Sequence, residues 1–129
     1  MADIEEGLVT FIEAQAPSAG KGYPLVVPQD LSGWAYQRIP NQGEDLAHDG
    51  PTGFVRGRFQ ITVTGGGETP YSDAKTNARA IATALHGYKG LMGTTTVYYC
   101  RVQSIADEWA DAQKLPVQRL DIAMNYREA

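Results

Sequence analysis

Two stretches of apolar–polar alternation are the feature that most limits how this chain can fold. Phe59, Ile61 and Val63 alternate with polar residues over 58–64, and the same period of two returns over 117–126. This alternation is typical of strands that bury one face and leave the other open, as antiparallel sheets do. The sequence therefore predicts a sheet with one covered face.

Three further segments favour strands. Tyr23–Val27 and Trp34–Ile39 are short runs that each end at a proline, and Thr94–Val102 is rich in β-branched and aromatic residues. The polar segment Asn41–Gly53 is expected to form a long, mobile loop. The acidic segment Ser104–Lys114 is expected to be a linker between the last two strands.

Two segments have the apolar period of helices that face a core. The first begins at Asp3, which has the capping-box spacing to Glu6, and the second begins at Thr69–Pro70 and ends at Gly87. Their apolar faces consist of Ile4, Leu8, Phe11 and Ile12 in the first helix and of Ala74, Ala78, Ile81 and Leu85 in the second. The predicted fold is α+β, an antiparallel sheet of about five strands with two helices packed on one face, in a single domain over 1–129.

Charge and length exclude several classes of protein. The 129 residues carry a net charge of −4, and only Arg56 and Arg58 come close together among the 11 Lys and Arg. A protein that held nucleic acid would normally show a basic stripe, so DNA binding as a main activity is not expected. Cys100 stands alone, which excludes an intrachain disulfide and favours a buried strand residue in a reducing compartment. Neither a signal peptide nor an apolar run of membrane-spanning length is recognisable.

The residues that could carry chemistry do not assemble into a known motif. His86 falls in the last turn of the second predicted helix, a common structural position. His48 and Asp49 could form a general-base pair, although a loop or interface role is favoured because no nucleophile motif accompanies them. Gly20–Lys21 lacks the flanking residues of a phosphate-binding loop. We therefore expect no catalytic residue, no cofactor and no metal site, while a small enzyme or ligand-binding domain stays open as an alternative.

Read end to end, the chain resembles the tail-completion family of long-tailed phages, also described as tail terminators or head–tail joining proteins. The resemblance lies in the order and spacing of segments along nearly the whole chain. The segments are Tyr23–Gln29, Trp34–Ile39, His48–Ile61, Tyr71–Ala74, Ala84–Tyr88 and Leu120–Tyr126. Gene transfer agents, which are domesticated phage particles, use similar proteins.

The resemblance implies an α+β fold and a structural role in the virion, not an enzyme. The family's members form a ring, typically of six subunits, that closes the head-proximal end of the tail tube and docks the head connector. The implied partners are the chain itself, the tail-tube protein and the connector or stopper, with DNA passing through without specific binding and no membrane. The implied location is the tail or neck of a particle assembled in a bacterial cytoplasm, and another neck component (stopper or adaptor) is the alternative.

A ring of identical subunits needs surfaces that close by rotation, and a long loop beside strand edges is suited to form them. The candidate assembly interface therefore comprises Asp45, His48, Asp49, Arg56 and Arg58.

Overall fold

In the part of the chain that the structure describes, one buried cluster joins two helices to one face of a six-stranded sheet. The computed structural model describes residues 4–24, 27, 33–47, 50–65, 70–93, 95–110 and 115–127. The helices are α1 (Ile4–Gln15) and α2 (Pro70–Leu85), and a 3-10 turn follows α1 at Pro17–Ala19. The strands are β1 (Gly22–Pro24), β2 (Gly33–Ala47), β3 (Gly50–Thr64), β4 (Gly90–Met92), β5 (Thr95–Ala110) and β6 (Leu115–Arg127).

The alternating segments form the centre of the sheet, as the sequence predicted. The strand order is β1-β2-β3-β6-β5-β4. In the β3–β6 ladder, Phe59 pairs with Ile122 and Ile61 pairs with Leu120, and all four side chains are fully buried. Since directly paired residues lie on the same face of a sheet, this register unites the two apolar rows into one surface for the helices.

Both helices form where the apolar period predicted them. The side chains of α1 that enter the cluster include Ile4, Leu8 and Ile12, and those of α2 include Ala78, Ile81 and Leu85. Side chains of both helices thus pack in the same core, and the α+β class is confirmed. The predicted caps at Asp3 and Thr69 lie outside the described residues.

The C-terminal end of α2 has the predicted glycine stop. Gly87 has a φ of 81°, a left-handed conformation that glycine adopts without strain. Its amide donates a hydrogen bond of 2.8 Å to the carbonyl oxygen of Cys100, which fixes the end of α2 against β5. Cys100 itself is buried, as expected.

The sheet differs from the expected one at its edges. Among the described residues it has six strands, because Gly90–Met92 also forms a short strand that pairs with Thr95–Val97. The described part of the first strand, Gly22–Pro24, pairs in parallel with Trp34–Tyr36, and residues 25 and 26 of the predicted strand lie outside the described residues. The expectation of a fully antiparallel sheet was therefore wrong at this edge, where the chain returns to lie beside β2 in the same direction.

Two segments that were expected to be irregular are strands. Most of Asn41–Gly53 belongs to a hairpin of β2 and β3, in which Gly43 pairs with Arg56 and Leu46 with Pro51. The first part of Ser104–Lys114 continues β5 as far as Ala110, which pairs with Leu115. Glycine and acidic residues have low intrinsic strand propensity, but the ladder with the neighbouring strand outweighs it here.

Candidate assembly interface

The face of the sheet opposite the helices is polar and exposes arginines. Ala123 on β6 pairs with Arg58 on β3 and, on its other side, with Arg101 on β5. Both arginines are exposed, and Ala123 between them is half-buried. With neighbouring strands about 4.8 Å apart, the backbones at Arg58 and Arg101 are separated by about 10 Å. Two arginines that are distant in sequence thus flank one small residue.

Two more arginine positions lie on the same face of the sheet, toward the C-terminal end of β6. Arg56 precedes Arg58 by two residues on β3 and pairs with Asn125, and Arg127 is the last residue of β6. Positions two apart on a strand lie on the same face. We call this set the arginine face, and it comprises Arg56, Arg58, Arg101 and Arg127.

The described side chains of the arginine face have no acidic partner within the subunit. Arg58, Arg101 and Arg127 are exposed, and no side-chain hydrogen bond or ion pair joins them to a residue that the structure describes.

At the other end of the same sheet face, an arginine is paired with two carboxylates. Arg119 Nη1 lies 2.6 Å from Glu108 Oε1, and Arg119 Nε lies 3.8 Å from Asp121 Oδ1. Ser104 Oγ donates a hydrogen bond of 3.0 Å to Asp121 Oδ2. Both carboxylates already have partners, so they do not neutralise the arginine face.

The helix side of β5 exposes large apolar side chains. Ile105 pairs with the buried Leu120 but is itself 45% exposed, and Trp109 is 60% exposed. Tyr71 at the start of α2 is 41% exposed. We call Tyr71, Ile105 and Trp109 the β5 apolar patch. Exposed aromatic side chains of this kind are enriched at protein–protein interfaces.

A hydrogen-bonded carboxylate holds this patch in place. Asp107 lies between Ile105 and Trp109 on β5 and accepts bonds from Gln118 Nε2 at 2.6 Å and from Tyr71 Oη at 3.0 Å. These two bonds, with a smaller contribution from Lys75, hold the pKa of the Asp107 carboxyl below its usual range. Donation to this carboxylate raises the pKa of the Tyr71 hydroxyl. The bonds tie the first turn of α2 to the far end of β5.

The candidate residues from the sequence separate into three groups. Arg56 and Arg58 are brought together on the arginine face, whereas Asp45 is placed in the outer part of the β2–β3 hairpin, at an irregular step of the ladder. His48 and Asp49 lie outside the described residues. Sequence reasoning missed Arg101, although its position in the predicted strand Thr94–Val102 was a usable signal.

Sequence reasoning also missed Ile105 and Trp109 as candidate interface residues. A period of two is present at Ile105, Asp107 and Trp109, but the acidic composition concealed it.

The imidazole and the thiol that could act as a base or a nucleophile are placed as structural groups of the fold. His86 Nδ1 accepts a hydrogen bond of 3.2 Å from the amide of Val102, on the edge of β5. Burial raises the pKa of Cys100 to about 12, so its thiol is protonated and a poor nucleophile. Among the residues that the structure describes, no three His, Cys, Asp or Glu side chains are grouped to bind a metal ion.

Two helices lie within the described residues. Neither α1 nor α2 is long and apolar enough to cross a membrane.

Comparison with known proteins finds similarity at the level of the fold. No family model matches the sequence. No curated protein matches it either. Among solved structures, the chain is similar to a chain of the "Virion of native gene transfer agent (GTA) particle", with a TM-score of 0.54 and 17% sequence identity. The match covers 97% of this chain and 92% of that chain, so the two have the same fold over almost their whole lengths.

Proposed function

We propose that this chain is a structural virion protein that forms a ring at the head-proximal end of a tail tube and joins the tail to the head connector. Its partners are further copies of itself, six in a ring, together with the tail-tube protein and the connector or stopper. DNA passes through the ring without specific binding. The protein acts in the tail or neck of a phage or gene transfer agent particle.

The observation that carries this proposal is the extent of the fold similarity. A chain from a gene transfer agent virion matches 97% of this chain with a TM-score of 0.54. The likeness covers both helices and the sheet, so it extends beyond a single recurring motif. It agrees with the sequence resemblance to tail-completion proteins, which was based on the order of segments along the same length.

The surfaces of the subunit support a role in assembly. The arginine face and the β5 apolar patch are two different exposed surfaces on opposite sides of one sheet. A ring subunit needs two unlike surfaces, because each copy contacts its neighbours through different sides. Asp45, His48, Asp49, Arg56 and Arg58 remain the proposed interface residues.

A second candidate is another component of the neck, such as a stopper or adaptor. The similar structure is that of a whole gene transfer agent particle, so the likeness does not distinguish one component of the particle from another. The same fold likeness is therefore compatible with either role. The two differ in which half of the particle is defective when the protein is missing.

Electron microscopy of a lysate without this gene tests the proposal. A tail tube exposes the same polymerising surface after every ring, so loss of a terminator leaves filled heads, unattached tails and tails that are irregular or overlong at one end. Loss of a stopper or adaptor instead leaves heads that leak DNA beside tails of normal length. A lysate of normal, DNA-filled, tailed particles contradicts both roles, and the parental strain processed in parallel is the control.

A further inference from the structure

The outer part of β5 is an edge of the sheet. β4 pairs with only the first three residues of β5, and in the described part of the chain residues 103–110 have a partner strand on the β6 side alone. Residues 103–109 are exposed at every position except Ala106, which is half-buried. We call residues 103–109 the β5 edge. An edge with exposed apolar side chains is a template for pairing with another strand.

Two hydrogen bonds show which peptide groups of β5 point away from β6. The carbonyl oxygen of Cys100 accepts a bond of 2.8 Å from the amide of Gly87. The amide of Val102 donates one of 3.2 Å to His86 Nδ1. Both partners lie at the end of α2, outside the β5–β6 ladder, so Cys100 and Val102 direct their peptide groups outward.

The register carries this direction into the β5 edge. In an antiparallel ladder, pairs whose peptide groups point toward each other alternate with pairs whose groups point away. Val102 and Ile105 lie opposite residues of β6 that are two positions apart, so both have the same direction. Ile105 therefore points outward, and Asp107 and Trp109 follow at a period of two. Three outward peptide groups thus stand in line on a strand whose Ile105 and Trp109 side chains are also exposed.

The other edges of the described sheet are shorter or interrupted. β1 and β4 have three residues each. The ladder of β2 is irregular between Ile39 and Gly43, and Pro40 in this step has no N–H to donate. Prolines and bulges of this kind protect an edge from pairing. The β5 edge contains neither proline nor glycine, so it is the part of the described sheet best suited to accept a strand.

Two copies of the β5 edge match each other poorly. The segment contains Asp107 and Glu108 and has no Lys or Arg. Antiparallel pairing of two copies brings four carboxylates into one short ladder, and like charges on opposed strands destabilise the pair. The favoured occupant is therefore a strand from a different protein, with basic residues where this edge has acidic ones.

We propose that the β5 edge binds an extended segment of a different protein, which adds to the sheet as a further strand. Main-chain hydrogen bonds to the outward peptide groups supply affinity, and alternate side chains supply specificity. The segment has apolar side chains beside Ile105 and Trp109, which are 45% and 60% exposed. Its basic residue faces Asp107, because a carboxylate has about four acceptor positions, and Gln118 and Tyr71 occupy two of them. The inference concerns a surface of the single subunit and does not depend on the proposed ring.

An NMR titration of the purified full-length chain with a synthetic peptide tests the inference. The probe is acetyl-TVKKTVTK-amide, whose antiparallel alignment places valines opposite Ile105 and Trp109 and lysines opposite Asp107 and Glu108. Amide signals of residues 104–110 are expected to shift on binding. N-methylation of the fourth and sixth peptide residues blocks N–H groups that face β5 and is expected to weaken binding at least about tenfold. N-methylation of the third and fifth residues blocks groups that face away, and is expected to change binding by less than about twofold.

Proline variants of β5 test the same geometry from the side of the protein. Proline is tolerated on an edge strand where its missing N–H would face solvent. Ile105→Pro is therefore expected to fold, as circular dichroism checks, and to bind the peptide at least about tenfold more weakly. Ile105→Thr keeps the outward N–H and is the matched control, with a smaller loss. Ala106→Pro removes an N–H that faces β6 and is expected to lower the melting temperature instead.

Several results would overturn the inference. These are an absence of shifts at about 1 mM peptide, shifts confined to other parts of the protein, and equal weakening by the two methylated peptides. The peptide comparison uses the parent chain, so it decides the matter even where Ile105→Pro does not fold. Self-association of the parent that Ile105→Pro abolishes, without peptide binding, assigns the edge to another copy of this chain. The deletion lysate tests the proposed function separately, because peptide binding has no part in its readout.

Discussion

Replacing Gly7 with alanine tests how closely α1 packs on β4. A Cβ at Gly7 would lie 2.3 Å from the carbonyl oxygen of Met92 and 2.6 Å from its carbonyl carbon. Ordinary contacts begin at 3.4 Å, so the helix must move away from the strand by about 1 Å. Both contacting atoms belong to the backbone, so no side chain can rotate away to make room.

Two effects of opposite sign decide the result. Alanine favours the helix over glycine by about 1 kcal/mol, whereas overpacking a well-packed contact costs about 1–3 kcal/mol. Moving α1 also loosens the buried side chains of Ile4, Leu8 and Ile12. A gap of about 0.5–1 Å already forfeits a quarter to a half of the dispersion attraction. We expect the free energy of unfolding to fall by about 1–2 kcal/mol, which lowers the melting temperature of a domain of this size by about 3–10 °C.

Thermal unfolding followed by circular dichroism measures this change. Thr10→Ala, at an exposed position of the same helix, is the control, and it is expected to gain a few tenths of a kcal/mol because alanine is the better helix former. If Gly7→Ala melts at or above the temperature of the parent, α1 does not approach the backbone of β4 as closely as described, and the packing argument fails.

Three further predictions concern the core, the β5 apolar patch and the hairpin. Ala78→Asp places a charge at a fully buried position of α2, and its unfolding free energy in a denaturant titration is expected to fall by several kcal/mol; parental stability would contradict the packing of that helix on the sheet. The lowered pKa of Asp107 means that its contribution to stability is present above its ordinary value of 3.8 and is lost as the pH falls through the folded value; NMR titration of Gln118→Ala is expected to show this pKa rising, and no rise would refute the assigned cause. In hydrogen exchange, amides of the outer hairpin, 43–53, are expected to exchange faster than those of 57–63 in the free subunit and to slow on assembly; equal protection before and after assembly would remove the hairpin from the interface.

Periodicity in the sequence was sufficient to identify the buried faces. The residues of α1, α2, β3 and β6 that were expected to face the core include Leu8, Ile81, Ile61 and Ile122, and all are fully buried. Burial of one face imposes a period of 3.6 on a helix and of 2 on a strand, so this information is local. Local information also located the end of α2, because a left-handed terminal residue requires glycine.

The long hairpin could not be predicted in the same way. Asn41–Gly53 contains glycines, one proline and acids that are rare in strands, and its few apolar residues do not alternate with polar ones. Its strand conformation depends on the cross-strand pairs of β2 with β3, such as Glu44 with Val55. The extension of β5 to Ala110 has the same origin, since Glu108 and Ala110 pair with Val117 and Leu115. Pairing between segments is information that no single segment contains.

The arginine face shows that strand pairing also limits how far function can be predicted from the sequence. In the sequence, Arg58 and Arg101 are far apart and the basic residues look dispersed, which argued against a charged surface. Register brings the two arginines to opposite sides of Ala123, because β6 pairs with β3 on one side and with β5 on the other. A dispersed sequence therefore encodes a concentrated surface, and net charge and spacing alone are weak grounds for excluding an anionic partner.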